Sequence, residues 1–256
     1  MKYFGTDGFR GVAGTELTVE HAYKIGRFIG WYYGARQGRK ARIVVGKDTR
    51  RSSYMLESGM ISGLVASGAD AYMLHVIPTP GLSYETTDGA FDCGVMITAS
   101  HNPYTDNGIK LVNSEGFKME ESLLQLIEDY IDGESEFEVT MASGDAIGAT
   151  VDYMQGRNRY IAHLIASANF SLQGVKVGQW RCFFGCQAGV RRAGCRCAHY
   201  QQCARWLQHQ CRLRFHPYRP LAAFGGRAGL GRGLCLRWRR RSLPCGGRAR
   251  PCGRRR

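Results

Sequence analysis

The stretch Ala41-Arg42-Ile43-Val44-Val45-Gly46-Lys47-Asp48-Thr49-Arg50 decides the fold. Ile43, Val44 and Val45 form an unbroken apolar run, the pattern of a strand buried on both faces. The chain then turns polar at once, which puts a charged loop at the carboxyl end of that strand. The same form recurs twice. Ala71-Tyr72-Met73-Leu74-His75-Val76 runs into Ile77-Pro78-Thr79-Pro80, and Cys93-Gly94-Val95-Met96-Ile97-Thr98 runs into Ala99-Ser100-His101-Asn102-Pro103. Between these runs, residues 19–33 place Ala22, Ile25, Ile29 and Tyr32 at helical spacing, and residues 53–66 do the same with Leu56, Met60 and Leu64. Residues 120–131 and 153–166 also read as amphipathic helices. Strand–helix alternation predicts an α/β fold with a mixed, largely parallel sheet flanked by helices. In such sheets chemistry gathers at the carboxyl ends of the strands, so the three loops are expected to converge on one site.

Charge divides the chain sharply. Residues 1–178 hold 21 acidic against 16 basic side chains, whereas residues 179–256 hold 19 arginines, no lysine and no acid; together they give the formal net charge of +14. Nine of the ten cysteines lie in the second part, leaving Cys93 in the first. A composition change this abrupt marks a boundary. No apolar run is long enough to span a bilayer, and the opening Met1-Lys2-Tyr3-Phe4-Gly5-Thr6-Asp7-Gly8 has no apolar core of a signal peptide, so no membrane partner is expected. One cysteine before residue 178 fits a reducing, cytoplasmic setting.

Ser100 follows a hydrophobic strand and precedes His101, Asn102 and Pro103. Taken alone, the segment is a polar turn with local Ser and Asn hydrogen bonds. Hydrolysis by a Ser–His dyad needs a geometry that adjacent residues rarely reach, and no G-x-S-x-G elbow is present. Three longer motifs change this reading. They are Tyr3-Phe4-Gly5-Thr6-Asp7-Gly8-Phe9-Arg10-Gly11, Gly46-Lys47-Asp48-Thr49-Arg50-Arg51-Ser52-Ser53, and Thr98-Ala99-Ser100-His101-Asn102-Pro103-Tyr104 continuing through Asp106-Asn107-Gly108-Ile109-Lys110. In this order and spacing the chain resembles the α-D-phosphohexomutases over roughly its first 175 residues, most closely the branch that isomerises glucosamine phosphates.

The resemblance implies a function. Ser100 would carry a phosphoryl group and pass it to a hexosamine phosphate, giving a bisphosphate that returns the other phosphate. The net reaction would interconvert glucosamine 6-phosphate and glucosamine 1-phosphate. A hydroxyl serves as such a covalent relay when cations neutralise the charge on the phosphoryl oxygens. Arg10 and Lys110 match the family's cations near that phosphate, Arg10 as a fixed fork and Lys110 as a charge or proton-transfer group. His101 and Asn102 would orient the loop and the incoming hydroxyl. Arg50 is a further phosphate-binding candidate, although Asp48 and Arg50 also fit an Asx turn closed by an ion pair. The prolines of Ile77-Pro78-Thr79-Pro80 fix a turn. The family also implies Mg²⁺, to which Ser100 would contribute through its phosphate. Phosphoglucomutase or phosphomannomutase chemistry is the alternative within the family.

Beyond residue 178 the chain also lacks Asn, Ile, Met and Thr. An arginine-rich nucleic-acid-binding tail is one reading. A metal site built on Cys182, Cys186, Cys195, Cys197, His199 and Cys203 is another, but its spacing is no standard zinc pattern. A disulfide framework conflicts with a reducing compartment. The genetic code supplies a fourth. Reread one base later, the possible codons of residues 237–244 permit Asp-Gly-Asp-Ala-Asp-Arg-Cys, the magnesium loop of the resembled family, with its glycine forced by Trp238. Residues 178–181 likewise permit Ala-Asn-Gly, which the family has there. We therefore read residues 179–256 as an out-of-frame segment, expected to be disordered, with no specific nucleic-acid partner.

The expected organisation is residues 1–150 as a first domain bearing the Ser100 loop, 151–178 as the truncated start of a second, and 179–256 as an irregular tail. The helix at 153–166 is expected to lack its sheet partners and expose apolar surface. Without the acidic magnesium ligands and later sugar-binding domains, these 256 residues are expected to show little or no turnover.

Overall fold

A computed structural model describes residues 1–167 and the backbone strands Lys176–Gln179 and Arg196–His199. In chain order the elements are β1 (Phe4–Gly5), β2 (Gly8–Val12), α1 (Val19–Gln37), β3 (Arg42–Lys47), α2 (Arg51–Ala66), β4 (Asp70–Val76) and α3 (Thr79–Asp88). They continue with β5 (Cys93–Ile97), β6 (Asp106–Asn113), α4 (Glu121–Asp132), β7 (Thr150–Asp152), α5 (Met154–Ala166), β8 (Lys176–Gln179) and β9 (Arg196–His199). One seven-stranded sheet has the order β1-β2-β6-β5-β3-β4-β7. The pairs β5/β3, β3/β4 and β4/β7 are parallel, and β1/β2, β2/β6 and β6/β5 are antiparallel. Five strands thus run one way and β1 and β6 the other, the mixed, largely parallel sheet expected.

Two-residue periodicity builds the two cores. Along β3, Ile43 and Val45 join Ile25, Phe28, Leu56, Met60, Leu124 and Ile127 beneath α1, α2 and α4. Val44 points the other way, into a smaller cluster with Leu74, Leu82, Phe91, Met96 and Val112. All are buried, so the sheet is covered on both faces. A fully apolar strand therefore needs no polar side, which is why 43–45 shows no alternation. On β5, Gly94 faces α3, where a Cβ would sit 2.3 Å from Thr86 Oγ1.

Helix α1 begins in a capping box: Thr18 Oγ1 accepts from the His21 amide, and His21 Nδ1 accepts from the Thr18 amide, both at 3.2 Å. It ends on Gly38 in the left-handed region at φ +62°. At the amino end of the chain, the buried Glu128 carboxylate accepts from the amides of Lys2, Tyr3 and Phe4 at 2.6, 2.8 and 2.6 Å, which pins β1 to α4.

Helices α1 and α2 meet through glycines. A Cβ on Gly63 would lie 2.1 Å from the Tyr23 carbonyl oxygen, and one on Gly26 would lie 2.4 Å from that of Met60. Backbone cannot swing aside as a flexible side chain can. Gly63→Ala is therefore expected to cost roughly 2 kcal/mol, overpacking outweighing the ~1 kcal/mol that alanine gains in helix propensity. At Gly34 a Cβ would meet only the Arg39 carbonyl oxygen at 3.6 Å. Gly34→Ala is expected to be neutral or stabilising by up to about 1 kcal/mol. Urea midpoints of the two variants decide it; a shift in the same direction for both would contradict this packing account.

Several elements went unread in the sequence. Thr79-Pro80 opens α3 instead of only fixing a turn, because proline is tolerated in the first turn of a helix, where the amides have no helical partner. Strand β6 starts with Asp106-Asn107-Gly108, too polar for an apolar run.

The segment expected to be left without partners finds some, although α5 buries Gly156 and Ile161 and leaves Met154 and Leu164 exposed, in keeping with the apolar surface expected of it. Strand β7 pairs with β4, and α5 lies against α3. There the wholly buried Glu85 receives Arg159 Nε and Nη2 at 3.2 and 2.6 Å, while Tyr84 stacks on His163 with ring centroids 4.3 Å apart. Burial pushes the Glu85 carboxyl up from the ordinary carboxylate range, and Arg159 pulls it back. Arg159→Ala would leave that carboxylate buried and unpaired, at an expected cost of about 3 kcal/mol near neutral pH. A carboxyl raised in the folded state favours folding below its unfolded pKa and loses that contribution as pH rises through the folded value. The variant is thus expected to approach wild-type stability near pH 4 and fall behind above it. A deficit independent of pH would contradict the assignment.

Strands β8 and β9 pair in parallel as a separate two-stranded sheet. Strand β9 lies within the Arg- and Cys-rich segment. The expected disorder of that segment and its metal-site and disulfide readings otherwise fall outside the described residues.

Candidate active site

The Ser100 loop leaves the carboxyl end of β5 and returns into antiparallel β6. Ser100 is exposed and holds φ +54°, a left-handed conformation that is uncommon for a residue with a Cβ. Such a backbone costs roughly 1–3 kcal/mol and persists only where its surroundings impose it. Here several hydrogen bonds do so. The Ser100 amide donates to Thr98 Oγ1 at 3.0 Å, the Asn102 amide to the Ala99 carbonyl at 3.0 Å, and the Asp106 amide to the Pro103 carbonyl at 3.1 Å. The loop is a fixed turn with its serine hydroxyl outward. His101, also exposed, brings Nδ1 to 3.4 Å from Ser100 Oγ.

Asp48, just past β3, joins this turn to the sheet. Its Oδ1 accepts from the Arg50 amide at 2.9 Å and from Ser53 Oγ at 2.6 Å; its Oδ2 accepts from Thr98 Oγ1 at 2.8 Å and from Arg50 Nε at 3.0 Å. The Asx turn and ion pair read in the sequence are both present. Arg50 reaches across to the Ser100 loop and donates to the carbonyls of Ser100 at 3.1 Å, Asn102 at 3.0 Å, Asp106 at 3.0 Å, and Pro103. Beneath them, buried Asn107 donates to Ser52 Oγ and Ser53 Oγ at 2.9 Å each and accepts from the Gly108 amide at 2.8 Å.

Two cations lie on one face of the β2/β6 pair, opposite the buried Phe9 and Ile109. Register pairs Arg10 with Gly108 and Phe9 with Ile109, so Gly8, Arg10, Gly108 and Lys110 share that face. The glycines make room. A Cβ at Gly108 would lie 3.0 Å from Arg10 Cγ, and one at Gly8 would lie 2.9 Å from Lys110 Cγ. Arg10 Nη1 donates to Asn102 Oδ1 at 3.3 Å and Nη2 pairs with Asp7 at 3.2 Å. Its buried Nε has no partner among the described residues. Lys110, half-buried, likewise has no hydrogen-bond or ion-pair partner among them.

Of the three loops expected to converge, 46–50 and 99–103 meet through Asp48 and Arg50. The third feeds α3: Ile77 packs where a Cβ on Gly46 would fall, 2.5 Å from Ile77 Cγ2. Among the described residues no hydrogen bond joins 77–80 to 99–103. Thr98, Asn107 and Ser53 went unread as site residues. They lie in or beside the quoted motifs, but the bonds that tie the two loops together, Thr98 to Asp48 and Asn107 to Ser52 and Ser53, join residues 50 to 55 positions apart in sequence.

The site's donors do not by themselves suit Mg²⁺, which prefers an octahedral set of oxygens. Asp48 is spent on four donors, Asp7 on Arg10, and Asp106 on Asn102 Nδ2 and Thr105 Oγ1 at 3.1 Å each. Among the described residues no three of His, Cys, Asp and Glu converge. No helix among them is long and apolar enough to cross a membrane.

Comparison with known proteins gives the family. Residues 1–138 match the family described as phosphoglucomutase/phosphomannomutase, alpha/beta/alpha domain I. The chain is similar to the phosphoglucosamine mutases of Lachnoclostridium phytofermentans, 61% identical over 177 residues, and Lachnospira eligens, 57% identical over 178. Each match covers 69% of this chain and 39% of the relative, so the chain spans well under half the length of the curated relatives it matches. The fold is shared with a phosphoglucomutase/phosphomannomutase family protein from Burkholderia thailandensis, at a TM-score of 0.63 and 22% identity, covering 77% of this chain and 43% of that one.

Proposed function

The chain belongs to the phosphoglucomutase/phosphomannomutase family, and on that premise we propose that its Ser100 loop is the phosphoryl-carrying element of a phosphoglucosamine mutase. The observation that carries this reading is the exposed hydroxyl of Ser100 on a backbone held at φ +54°, with Arg10 tied to the same loop through Asn102. In the phosphorylated form, the Ser100 Oγ–P bond breaks as a hydroxyl of a hexosamine phosphate bonds to phosphorus. The bisphosphate formed then returns its other phosphoryl group to Ser100, giving glucosamine 6-phosphate or glucosamine 1-phosphate.

Arg10 and Lys110 supply positive charge on one face of the β2/β6 pair, where it offsets charge on the phosphoryl oxygens. Lys110, with no competing partner among the described residues, is proposed to enter as the neutral amine and take the proton of the attacking hydroxyl; it is then the cation that joins Arg10, and it returns the proton to Ser100 Oγ as the Oγ–P bond breaks. His101 and Asn102 hold the loop and the incoming hydroxyl. Glucosamine is preferred over glucose and mannose as the sugar on the strength of the 61% and 57% identical relatives. A cytoplasmic setting and a hexosamine phosphate as the only specific partner belong to the same reading, as does the organisation into residues 1–150, 151–178 and 179–256.

The 256-residue chain by itself is proposed to turn over little or not at all, because the described carboxylates form no Mg²⁺ cage. The test pairs two proteins. One is the chain itself. The other is a hybrid in which this chain's matched 177-residue segment replaces its counterpart in the Lachnoclostridium enzyme. An assay coupled to glucosamine 1-phosphate formation is expected to read turnover from the hybrid and none from the chain. A hybrid that folds but stays silent would count against the mutase reading.

A further inference from the structure

We infer that Arg50 is a positioning residue for phosphoryl transfer, which sets the backbone of the Ser100 loop without gripping the substrate's phosphate. The inference rests on the reading of Ser100 as the phosphoryl carrier. A guanidinium has five N–H donors in a rigid fork. All five are occupied here: Nε on Asp48, Nη1 on the carbonyls of Pro103 and Asp106, and Nη2 on those of Ser100 and Asn102. No donor remains for a ligand oxygen. The side chain is 13% exposed, so the fork sits under the loop and away from open solvent.

The bonds explain how a left-handed serine is kept in place. Arg50 draws the carbonyls of Ser100 and Asn102 inward on one guanidinium edge, while the Ser100 amide is fixed by Thr98 Oγ1. With both ends of the residue tied, its side chain is left outward, where Ser100 is exposed. Asp48 holds the fork at its Nε and grips Thr98 at the same time, so one carboxylate sets both anchors of the turn. Lysine cannot substitute, since an ammonium has three donors radiating from a point and cannot span four carbonyls.

Hydrogen exchange on the full 256-residue chain tests the geometry without requiring activity. In Arg50→Lys the amides of Ser100, Asn102 and Asp106 are expected to exchange at least about tenfold faster, with the amides of Val45 and Val95 in the sheet unchanged. Unchanged loop exchange would overturn the inference. Should Arg50→Lys lose sheet protection too, Asp48→Asn serves instead: the same loop amides are expected to speed up by a smaller factor, and their failure to do so would overturn it.

The second measurement separates positioning from binding. In the hybrid enzyme, Arg50→Lys is expected to lower kcat about 100-fold while KM for the hexosamine phosphate moves less than about threefold. A raised KM with kcat retained would mean that Arg50 holds substrate and would overturn the inference. Should the hybrid with Arg50 intact fail to turn over, the mutase reading falls, while exchange still decides what Arg50 does.

Discussion

Ser100→Ala is expected to lower kcat of the hybrid mutase by at least about 1000-fold, with its fold and stability little changed. A covalent relay has no partial substitute, so loss of the nucleophile removes the reaction path and not merely one stabilising contact. Among the hydroxyls of the network beneath the loop, Thr98 Oγ1 and Ser53 Oγ donate to Asp48, and Ser52 Oγ accepts from Asn107. None stands on the outward turn. Truncation also removes little structure, because the bonds that fix the turn use the backbone of Ser100. His101→Ala should cost far less, since its Nδ1 stands 3.4 Å from Ser100 Oγ and no other partner within the loop depends on it. Equal losses for the two variants would argue for a Ser–His dyad instead of a phosphoserine relay. Initial rates on glucosamine 6-phosphate check both.

Asp48→Ala is expected to be the costliest single change to stability near the site, at roughly 2–4 kcal/mol. The carboxylate accepts four hydrogen bonds, from the Arg50 amide, Arg50 Nε, Ser53 Oγ and Thr98 Oγ1. Ser53 and Thr98 are both buried, so neither hydroxyl can turn to water in compensation. For a domain of this size the loss corresponds to a melting temperature lower by roughly 5–15 °C. Asp48→Asn keeps two acceptor sites on its amide oxygen and should lose about half as much. Thermal unfolding of the 256-residue chain and its two variants decides the order. An Asp48→Ala chain that melts with the wild type would show that the network contributes no net stability.

Much of the architecture was legible because burial on both sheet faces leaves apolar runs that periodicity recognises. Residues 41–45, 71–76 and 93–98 announced β3, β4 and β5, and regular apolar spacing announced α1, α2, α4 and α5. What stayed hidden depends on long-range partners. Strand β6 is polar at its start because Asp106 and Asn107 serve the loop, and Asn107 is buried only by virtue of Ser52 and Ser53 on α2. The two prolines before Gly81 read as a turn, although the helix α3 that they open covers one face of the sheet. The apolar exposure expected of residues 153–166 persists at Met154 and Leu164, while Arg159 fastens the same helix to α3 through Glu85, a partner 74 positions away.

The site was legible in kind, and less so in role. Ser100, His101, Asn102 and Arg10 come together as their motifs imply, and Lys110 shares a face with Arg10. Arg50 carries the charge suited to a phosphate, and nothing in its neighbours along the chain reveals that every donor is already spent. Charge and residue type predict what a side chain is able to bind; only the placement of competing carbonyls shows what it does bind.

The most direct measurement is the location of the phosphoryl group. The hybrid enzyme, turning over with a hexosamine bisphosphate labelled in its phosphates, is quenched and its peptides are fragmented by mass spectrometry. One labelled phosphoryl group on Ser100, absent from the Ser100→Ala hybrid, is the predicted result. Turnover with no label on the protein, or with the label on another residue, would contradict the account.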